Sequence, residues 1–455
     1  MPKPLPAGPY ELLEIGTGAR APWYVIPFDK EGVCTAPKTR AHLLATLSAG
    51  GFTHVFLFSH GWNNDWKTST RRYRDFIDAF TKVRQAQGGT PGDYRPLLVG
   101  VFWPSTALVL PWEKPPAMAA AADPRTAGDE AVGEGLDELA EIAPELPAGR
   151  RERFYELAGA ERLSADEASE LAEMLAPLYG QGGDPEDGGE APTPETLLAL
   201  WRALPQPPTV NDDPDDFGFN PGTAPAPGAP AAAFDLGSLD PRGAVRAFTV
   251  WQMKDRAGTV GAHGVAPLLR DLLAAAGGAR LHLLGHSYGC KVVLSALGGG
   301  AALAPGSVES ALLLQPAING WAFAEKVEGE SFSGGYRKVL PWVRQPILTT
   351  FTRKDAPLTK FFHLAVRRQR DLGEIQIGGP APNRYAALGG FGPQGGAPPE
   401  VMELAMPTAG TAYPAFGADT EVVALAAHDL IGGHGDIVSP HTAWALYTQV
   451  RGTMP

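Results

Sequence analysis

Short apolar runs bounded by turn-forming residues are the main pattern along this chain. They occur at 54–58, 97–103, 247–251, 281–284, 311–314, 347–352 and 422–425. Runs of this length, rich in β-branched and aromatic residues, predict buried strands. The apolar-periodic segment 443–450 instead predicts a helix, and Ser439 and Pro440 before it suit an N-cap and a first helical turn.

The strand pattern stops between residues 105 and 244, where turn-rich polar stretches alternate with short helices. Capping signals predict two helices there, and glycine, proline and acidic residues predict a flexible loop and an irregular linker. The helices are expected at 164–175 and 193–204, the loop at 182–190 and the linker at 205–230. A glycine-containing stretch at 255–261 predicts the start of the helix that precedes the strand 281–284.

Composition narrows the class of protein. The chain has 455 residues, of which 44% are hydrophobic, enough for one large domain with an additional element. A net charge of −12 without a basic stripe argues against nucleic-acid binding. The two cysteines, Cys34 and Cys290, are too few for a disulfide framework. Because no leader-like segment or long apolar run is present, we expect a cytoplasmic protein without a transmembrane segment.

The segment Gly285-His-Ser-Tyr-Gly289 lies between the predicted strand 281–284 and a helix of small residues. This is G-x-S-x-G in the strand, turn and helix context that it needs to present a nucleophile. The glycines let the backbone take strained angles, so Ser287 is held at the tip of the strand with a helix N-terminus behind it. We therefore predict that Ser287 is a nucleophile.

This arrangement resembles the nucleophile elbow of the α/β-hydrolase superfamily. The resemblance covers roughly 20–104 and 245–452, and it implies an α/β fold with a doubly wound, mostly parallel sheet of the α/β-hydrolase type. The expected organisation is a core made of 1–104 and 245–455, with a large helical and irregular insertion at 105–244. Such insertions often form a lid over the active site, and a module that binds a protein partner is an equal alternative.

A second motif, His60-Gly61, ends the predicted strand 54–58. In α/β-hydrolases the loop after the third strand commonly carries His-Gly-x, and a backbone N–H after the glycine faces the nucleophile. By this resemblance, the amides of Trp62 and Tyr288 form the oxyanion hole. His60 then supports the loop rather than acting as a base, and Asn63 and Asn64 fix its shape.

The expected base is His434, which lies among glycines between the predicted last strand and the last helix. The superfamily places its base in this loop, and the form His-Gly-Asp-Ile resembles the His-Ser-Asp segment of many lipases and esterases. His428 and His441 are the alternatives. His428 lies nearer the strand end, and His441 falls in the first turn of the helix.

The expected acid is Asp355, directly after the predicted strand 347–352. In this superfamily the residues follow the chain order Ser, Asp or Glu, His, which Ser287, Asp355 and His434 obey. Asp371 and Asp436 are weaker alternatives.

Together these residues predict a serine hydrolase that cleaves a carboxylic ester through an acyl-enzyme. A lipase, thioesterase or amidase with the same triad, and a non-catalytic hydrolase-like binding protein, are the alternatives. Aromatic residues that could line an acyl pocket, or belong to the core, are Trp112, Trp321 and Phe323. The sequence has no P-loop, CxxC pair or HExxH motif, so neither a cofactor nor a metal is predicted.

Overall fold

The computed structural model describes residues 5–16, 18–89, 94–105, 146, 148–160, 162–180, 193–203, 241–362 and 385–452. The chain divides into two compact units. The first contains 1–105, 254–362 and 380–455, and the second contains 106–253 and 363–379.

The first unit is built on a nine-stranded sheet. Its strands are β1 (Glu11–Gly16), β2 (Ala19–Pro27), β3 (His54–Ser59), β4 (Pro96–Phe102), β5 (Arg280–His286), β6 (Ser310–Leu314), β7 (Ile347–Phe351), β8 (Val401–Ala405) and β9 (Val422–Ala426). The order across the sheet is β1-β2-β4-β3-β5-β6-β7-β9-β8. Only the pair β1 and β2 is antiparallel, and every other pair is parallel. The predicted α/β class with a mostly parallel sheet is confirmed.

Ten α-helices are described. They are α1 (Pro37–Ser48), α2 (Trp66–Ala86), α3 (Arg151–Gly159), α4 (Ala165–Leu175), α5 (Pro194–Ala203), α6 (Pro241–Thr259), α7 (Ala266–Ala275), α8 (Tyr288–Gly298), α9 (Leu388–Phe391) and α10 (Pro440–Arg451). A π-helical stretch, Val260–Val265, joins α6 to α7. Among the described residues, no helix combines the length and apolar character that crossing a membrane requires.

One strand prediction was wrong. Residues 247–251 lie inside α6, not in a strand. The run has β-forming composition, but Phe248 and Trp251 are spaced three residues apart, and both are buried in the same cluster. Helical periodicity over the longer segment therefore overrides local strand propensity. The stretch 255–261 accordingly lies at the end of α6 and in the π-helical stretch, and does not begin a helix.

The core of the first unit forms where strand residues with a spacing of two face α2 and α10. Examples are Phe56 and Phe58 of β3, which are buried together with Phe76 of α2 and Trp444 of α10. This alternation is typical of a sheet with a separate layer of side chains on each face. At the start of α10, the Ser439 hydroxyl accepts the Thr442 N–H at 3.2 Å, so the predicted N-cap is confirmed.

The second unit has its own apolar core, formed by α3, α4, α5 and the first part of α6. Its largest buried side chains include Phe154, Trp201 and Trp251. The capping box predicted at the start of α4 is present, with reciprocal bonds between Ser164 and Glu167. The loop predicted at 182–190 and the linker predicted at 205–230 lie outside the described residues.

Candidate active site

The predicted site residues follow parallel strands of the first unit. Ser287 directly follows β5, the loop 60–64 follows β3, and Asp355 and His434 come after β7 and β9. Because the carboxyl ends of parallel strands meet at one edge of a sheet, these residues converge although they are far apart in sequence.

Ser287 occupies a strained turn. Its φ of 55° and ψ of −125° are unusual for a residue with a side chain, and such strain is concentrated at functional sites. The turn is held by bonds from the Ser287 N–H to the Leu314 carbonyl at 3.1 Å and from the Cys290 N–H to the Ser287 carbonyl at 3.0 Å. A Cβ on Gly289 would lie 2.2 Å from the carbonyl oxygen of Ser59, so only glycine fits there.

Ser287, His434 and Asp355 form a continuous hydrogen-bonded chain. His434 Nε2 lies 2.8 Å from Ser287 Oγ, and His434 Nδ1 lies 2.7 Å from Asp355 Oδ2. A proton on Nδ1 is donated to the carboxylate, which leaves Nε2 to accept the hydroxyl proton of the serine. The second carboxylate oxygen of Asp355 accepts the Leu358 N–H at 3.0 Å, which fixes the carboxylate plane. All three side chains are buried.

The alternative residues lie elsewhere. His428 accepts the Arg353 N–H at 3.2 Å, and His441 accepts the Ala409 N–H at 3.1 Å. Asp436 accepts the Gly432 N–H at 2.8 Å and so braces the loop that carries His434. Asp371 lies outside the described residues. The structure therefore brings His434 and Asp355 to Ser287.

The loop after β3 lies against Ser287. A Cβ on Gly61 would be 2.8 Å from Ser287 Cβ and 2.9 Å from His286 Nδ1, so this contact requires glycine. The backbone of Trp62 follows at once, and Tyr288 is the first residue of α8. Of the two predicted oxyanion-hole residues, Trp62 thus follows a glycine that touches Ser287, and Tyr288 follows Ser287 itself.

His60 is part of the scaffold of this loop. Its Nδ1 donates to the Gly61 carbonyl at 2.8 Å, and its Nε2 accepts the Trp103 N–H at 3.2 Å. The ring also stacks on the Trp103 indole, with 5.5 Å between centroids. Burial lowers the pKa of His60 to about 4, so the ring stays neutral at physiological pH. Both ring nitrogens are occupied, which suits support rather than proton transfer.

The two asparagines of the loop have different roles. Asn63 adopts a φ of 55°, a left-handed conformation that asparagine tolerates better than most residues. The buried Asn64 side chain donates to the carbonyls of Trp62 at 2.7 Å and Gly61 at 3.3 Å. These bonds close the loop on itself and fix its shape.

Two residues that the sequence did not single out hold the backbone of His434. Gln315 Nε2 donates to the carbonyls of Gly433 at 2.6 Å and His434 at 2.9 Å, and His286 Nε2 lies 2.9 Å from the same His434 carbonyl. Burial lowers the pKa of His286 well below its usual range, so its ring is neutral. Because a carbonyl oxygen only accepts, the proton of this ring lies on Nε2, which donates to it. The sequence signal that could have indicated this role is their position, since His286 ends β5 and Gln315 directly follows β6.

The aromatic residues considered for an acyl pocket are only partly described. Phe323 is buried, and the indole of the half-buried Trp321 lies directly against Gly395. This packing agrees with the interpretation of both as core residues. Trp112 lies outside the described residues.

Comparisons of the chain with protein-family models, curated proteins and solved structures gave no match. A hydroxyl, an imidazole and a carboxylate in this order can activate the serine oxygen for attack on an electrophilic carbon.

Proposed function

We propose that this protein is a serine hydrolase of the α/β-hydrolase type that cleaves a carboxylic ester through an acyl-enzyme. The observation that carries the proposal is the buried hydrogen-bonded chain Ser287–His434–Asp355 beside a strained turn. Support also comes from the chain order of the three residues, which is the order that this fold uses.

In the proposed mechanism, His434 Nε2 takes the proton of Ser287 as the serine oxygen attacks the carbonyl carbon. Asp355 orients the ring and stabilises the imidazolium that forms. The negative charge that develops on the carbonyl oxygen is held by the amides of Trp62 and Tyr288, and one such donor is typically worth roughly 3–4 kcal/mol. The leaving alcohol takes the proton from His434, and water then hydrolyses the acyl-enzyme by the same steps.

The substrate class is proposed from the superfamily, in which carboxylic esters are the commonest substrates. The same triad serves amides, thioesters and lipid esters, because specificity depends on the loops around the site. The insertion at 105–244 is proposed as a lid or as a module for a protein partner. If perturbing this insertion weakens the discrimination between short and long acyl chains, the lid is favoured.

Labelling with a fluorophosphonate probe tests the proposal, since the probe reacts with activated serines. The Ser287→Ala variant should lose labelling, and its turnover of p-nitrophenyl esters of graded chain length should fall by roughly 10⁴–10⁶-fold. Ser307→Ala removes a partly exposed serine hydroxyl that donates to the Ala304 carbonyl within its own turn, and it is the matched control. An unlabelled wild-type protein, or full labelling of Ser287→Ala, would contradict the proposal.

A further inference from the structure

The side chain of His286 lies between the loop that carries His434 and the loop 60–64, which is called the oxyanion loop below. The ring is buried, and both loops belong to the first unit. On one side, Nε2 donates to the His434 carbonyl at 2.9 Å. On the other side, Nδ1 lies 2.9 Å from the position that a Cβ on Gly61 would take, so the ring packs directly against this glycine. One side chain therefore contacts both loops.

The loop that carries His434 depends on side-chain hydrogen bonds for its path. It contains several glycines, and a Cβ on Gly433 would meet no atom within 4 Å, so packing does not restrain the backbone at this point. The His434 carbonyl accepts two bonds, from His286 Nε2 and from Gln315 Nε2, each at 2.9 Å. Because a carbonyl oxygen has two lone pairs, the two donors together fix the peptide that follows His434.

The oxyanion loop is held at its far end by the buried Ser105. The carbonyl of Ser105 accepts the Asn63 N–H at 2.6 Å. Its hydroxyl accepts the Asn64 N–H at 3.3 Å and donates to the Asn64 carbonyl at 3.2 Å. The other end of the loop, at Gly61, instead lies against the His286 ring with no room for a Cβ. A displacement of this ring would therefore let Gly61 move, and with it the amide that the proposed mechanism uses.

The ring makes both contacts in its neutral form with the proton on Nε2. Nδ1 is buried and has no hydrogen-bond partner among the described residues, so a proton added there would face Gly61 without an acceptor. Burial first, and then the neighbouring His434, Arg72 and His60, lower the pKa of His286 well below its usual range, although its bond to the His434 carbonyl opposes this shift. The two imidazole centroids are 5.0 Å apart, so the ring stays neutral when His434 gains a proton in the proposed reaction.

We propose that His286 is a positioning residue that fixes the loop of the proposed base relative to the oxyanion loop, through one neutral tautomer with its proton on Nε2. This inference rests on the proposed function and extends it to the variable position of the motif G-x-S-x-G. A displacement of about 1 Å at groups that position reacting atoms can cost on the order of 10²-fold in rate, so even a small relaxation of either loop is measurable.

The first experiment compares two amides in place of His286. In glutamine the amide nitrogen lies as many bonds from Cβ as Nε2 does in histidine, so His286→Gln can still donate to the His434 carbonyl. In asparagine it corresponds to Nδ1, so His286→Asn loses this bond. We expect His286→Asn to lower kcat for p-nitrophenyl acetate and the rate of fluorophosphonate labelling by about 10-fold, with KM changed by less than about twofold. His286→Gln should recover most of both rates.

His282→Asn is the matched control, because His282 is a buried histidine of the same strand whose Nδ1 lies 2.8 Å from the Ser310 hydroxyl, at the other end of β5 from the site. It should leave kcat and the labelling rate unchanged, whatever its melting temperature. Equal rate losses in His286→Asn and His282→Asn, equal losses in His286→Asn and His286→Gln, or a loss confined to KM, would overturn the proposal.

Hydrogen–deuterium exchange shows whether His286 acts on both loops. His286→Asn should speed exchange of the amides at 60–64 and at 432–437, and His286→Gln should change exchange much less. Gln315→Met removes donors to the His434 loop alone, so it should speed exchange at 432–437 and leave 60–64 unchanged. Unchanged exchange at either loop in His286→Asn, or faster exchange at both loops in Gln315→Met, would reject the role of His286 as the link.

NMR of isotope-labelled histidine nitrogens tests the tautomer in the wild-type protein, so it does not depend on how well a variant folds. The His286 signals, assigned by their loss in His286→Gln, should show a proton on Nε2. They should also show a neutral ring at about pH 6, where an ordinary histidine is largely protonated. A proton on Nδ1, or a ring that titrates like an ordinary histidine, would overturn the proposal.

The failure of this proposal can be distinguished from the failure of the proposed function. If the wild-type protein is not labelled by the fluorophosphonate, the proposed function fails. The exchange rates and the tautomer do not depend on the reactivity of Ser287, so they decide by themselves whether His286 links the two loops.

Discussion

At the scale of single residues, the ring of His434 bonds the serine and the carboxylate, whereas His428 and His441 each bond a backbone N–H elsewhere. We expect His434→Ala to lose activity nearly as fully as Ser287→Ala, by roughly 10⁴-fold or more. His428→Ala and His441→Ala should keep most of the activity in the same ester assay. An inactive His441→Ala variant together with an active His434→Ala variant would instead assign the base to His441, in the first turn of α10.

Gln315 holds the backbone at His434, the proposed base, because its amide donates to two consecutive carbonyls in a glycine-flanked loop. Gln315→Met keeps the length of the side chain and removes both donors, so the loop should gain freedom. We expect kcat to fall by about 10-fold with little change in KM.

Gln345→Met is the control for this change, since Gln345 also donates two bonds, to Glu309 and to the Gln449 carbonyl, away from the site. Comparable losses in both variants would show that Gln315 contributes only to stability.

At the scale of elements, the junction of β5, the turn and α8 depends on glycines that touch neighbouring backbone. A Cβ on Gly289 would meet the carbonyl oxygens of Ser59 and His60 at 2.2 and 2.4 Å. Gly289→Ala should therefore lower the free energy of unfolding by at least about 2 kcal/mol, as overpacking does, and should abolish labelling. Chemical denaturation measures the first effect.

Gly258→Ala is the matched control in α6, where the nearest atom to an added Cβ is the flexible Lys291 Cε at 3.4 Å. Because alanine is the better helix former, this variant should be more stable by roughly 0.5–1 kcal/mol. A similar loss of stability in the two variants would mean that packing at Gly289 is not specially tight.

Elements that are buried on both faces could be predicted from the sequence, and those at the edges could not. β3, β5 and β6 are buried along almost their whole length and each contains an apolar run, whereas β1 and β8 alternate between more and less buried residues. β2 contains Pro22 and ends at Pro27, and proline argues against a strand. The grouping of Ser287, Asp355 and His434 could be predicted because each residue adjoins a predictable strand. The contacts of Ser105 and Gln315 arise only when distant segments pack.

At the scale of the whole molecule, four buried histidines make stability depend on pH. Burial lowers the pKa of His54 and His60 from 6.5 to about 4. It also lowers the pKa of His282 and His286, well below the usual range of a histidine. The unfolded chain therefore binds protons that the folded chain does not. Their contribution is fully present above pH 6.5 and is lost as the pH falls towards 4.

We therefore expect the melting temperature to fall between about pH 7 and pH 5, with each histidine contributing at most about 1.4 kcal/mol per pH unit. Thermal unfolding at several pH values measures this slope. His54→Gln removes one titrating group at the far end of β3 from the site, and it should reduce the slope. A melting temperature that is flat over this range would contradict the prediction.

The two halves of the site come from different parts of the chain. Ser287, Asp355 and His434 all follow Lys254, whereas the loop 60–64 lies wholly before Ser105. A molecule cleaved once within 106–253 would thus divide into one fragment with the proposed nucleophile and base, and another with half of the proposed oxyanion hole. Because β3 lies between β4 and β5 in the sheet, the fragments share a strand pairing. Activity recovered on mixing separately expressed fragments would then report their reassembly, which makes this chain suited to fragment complementation.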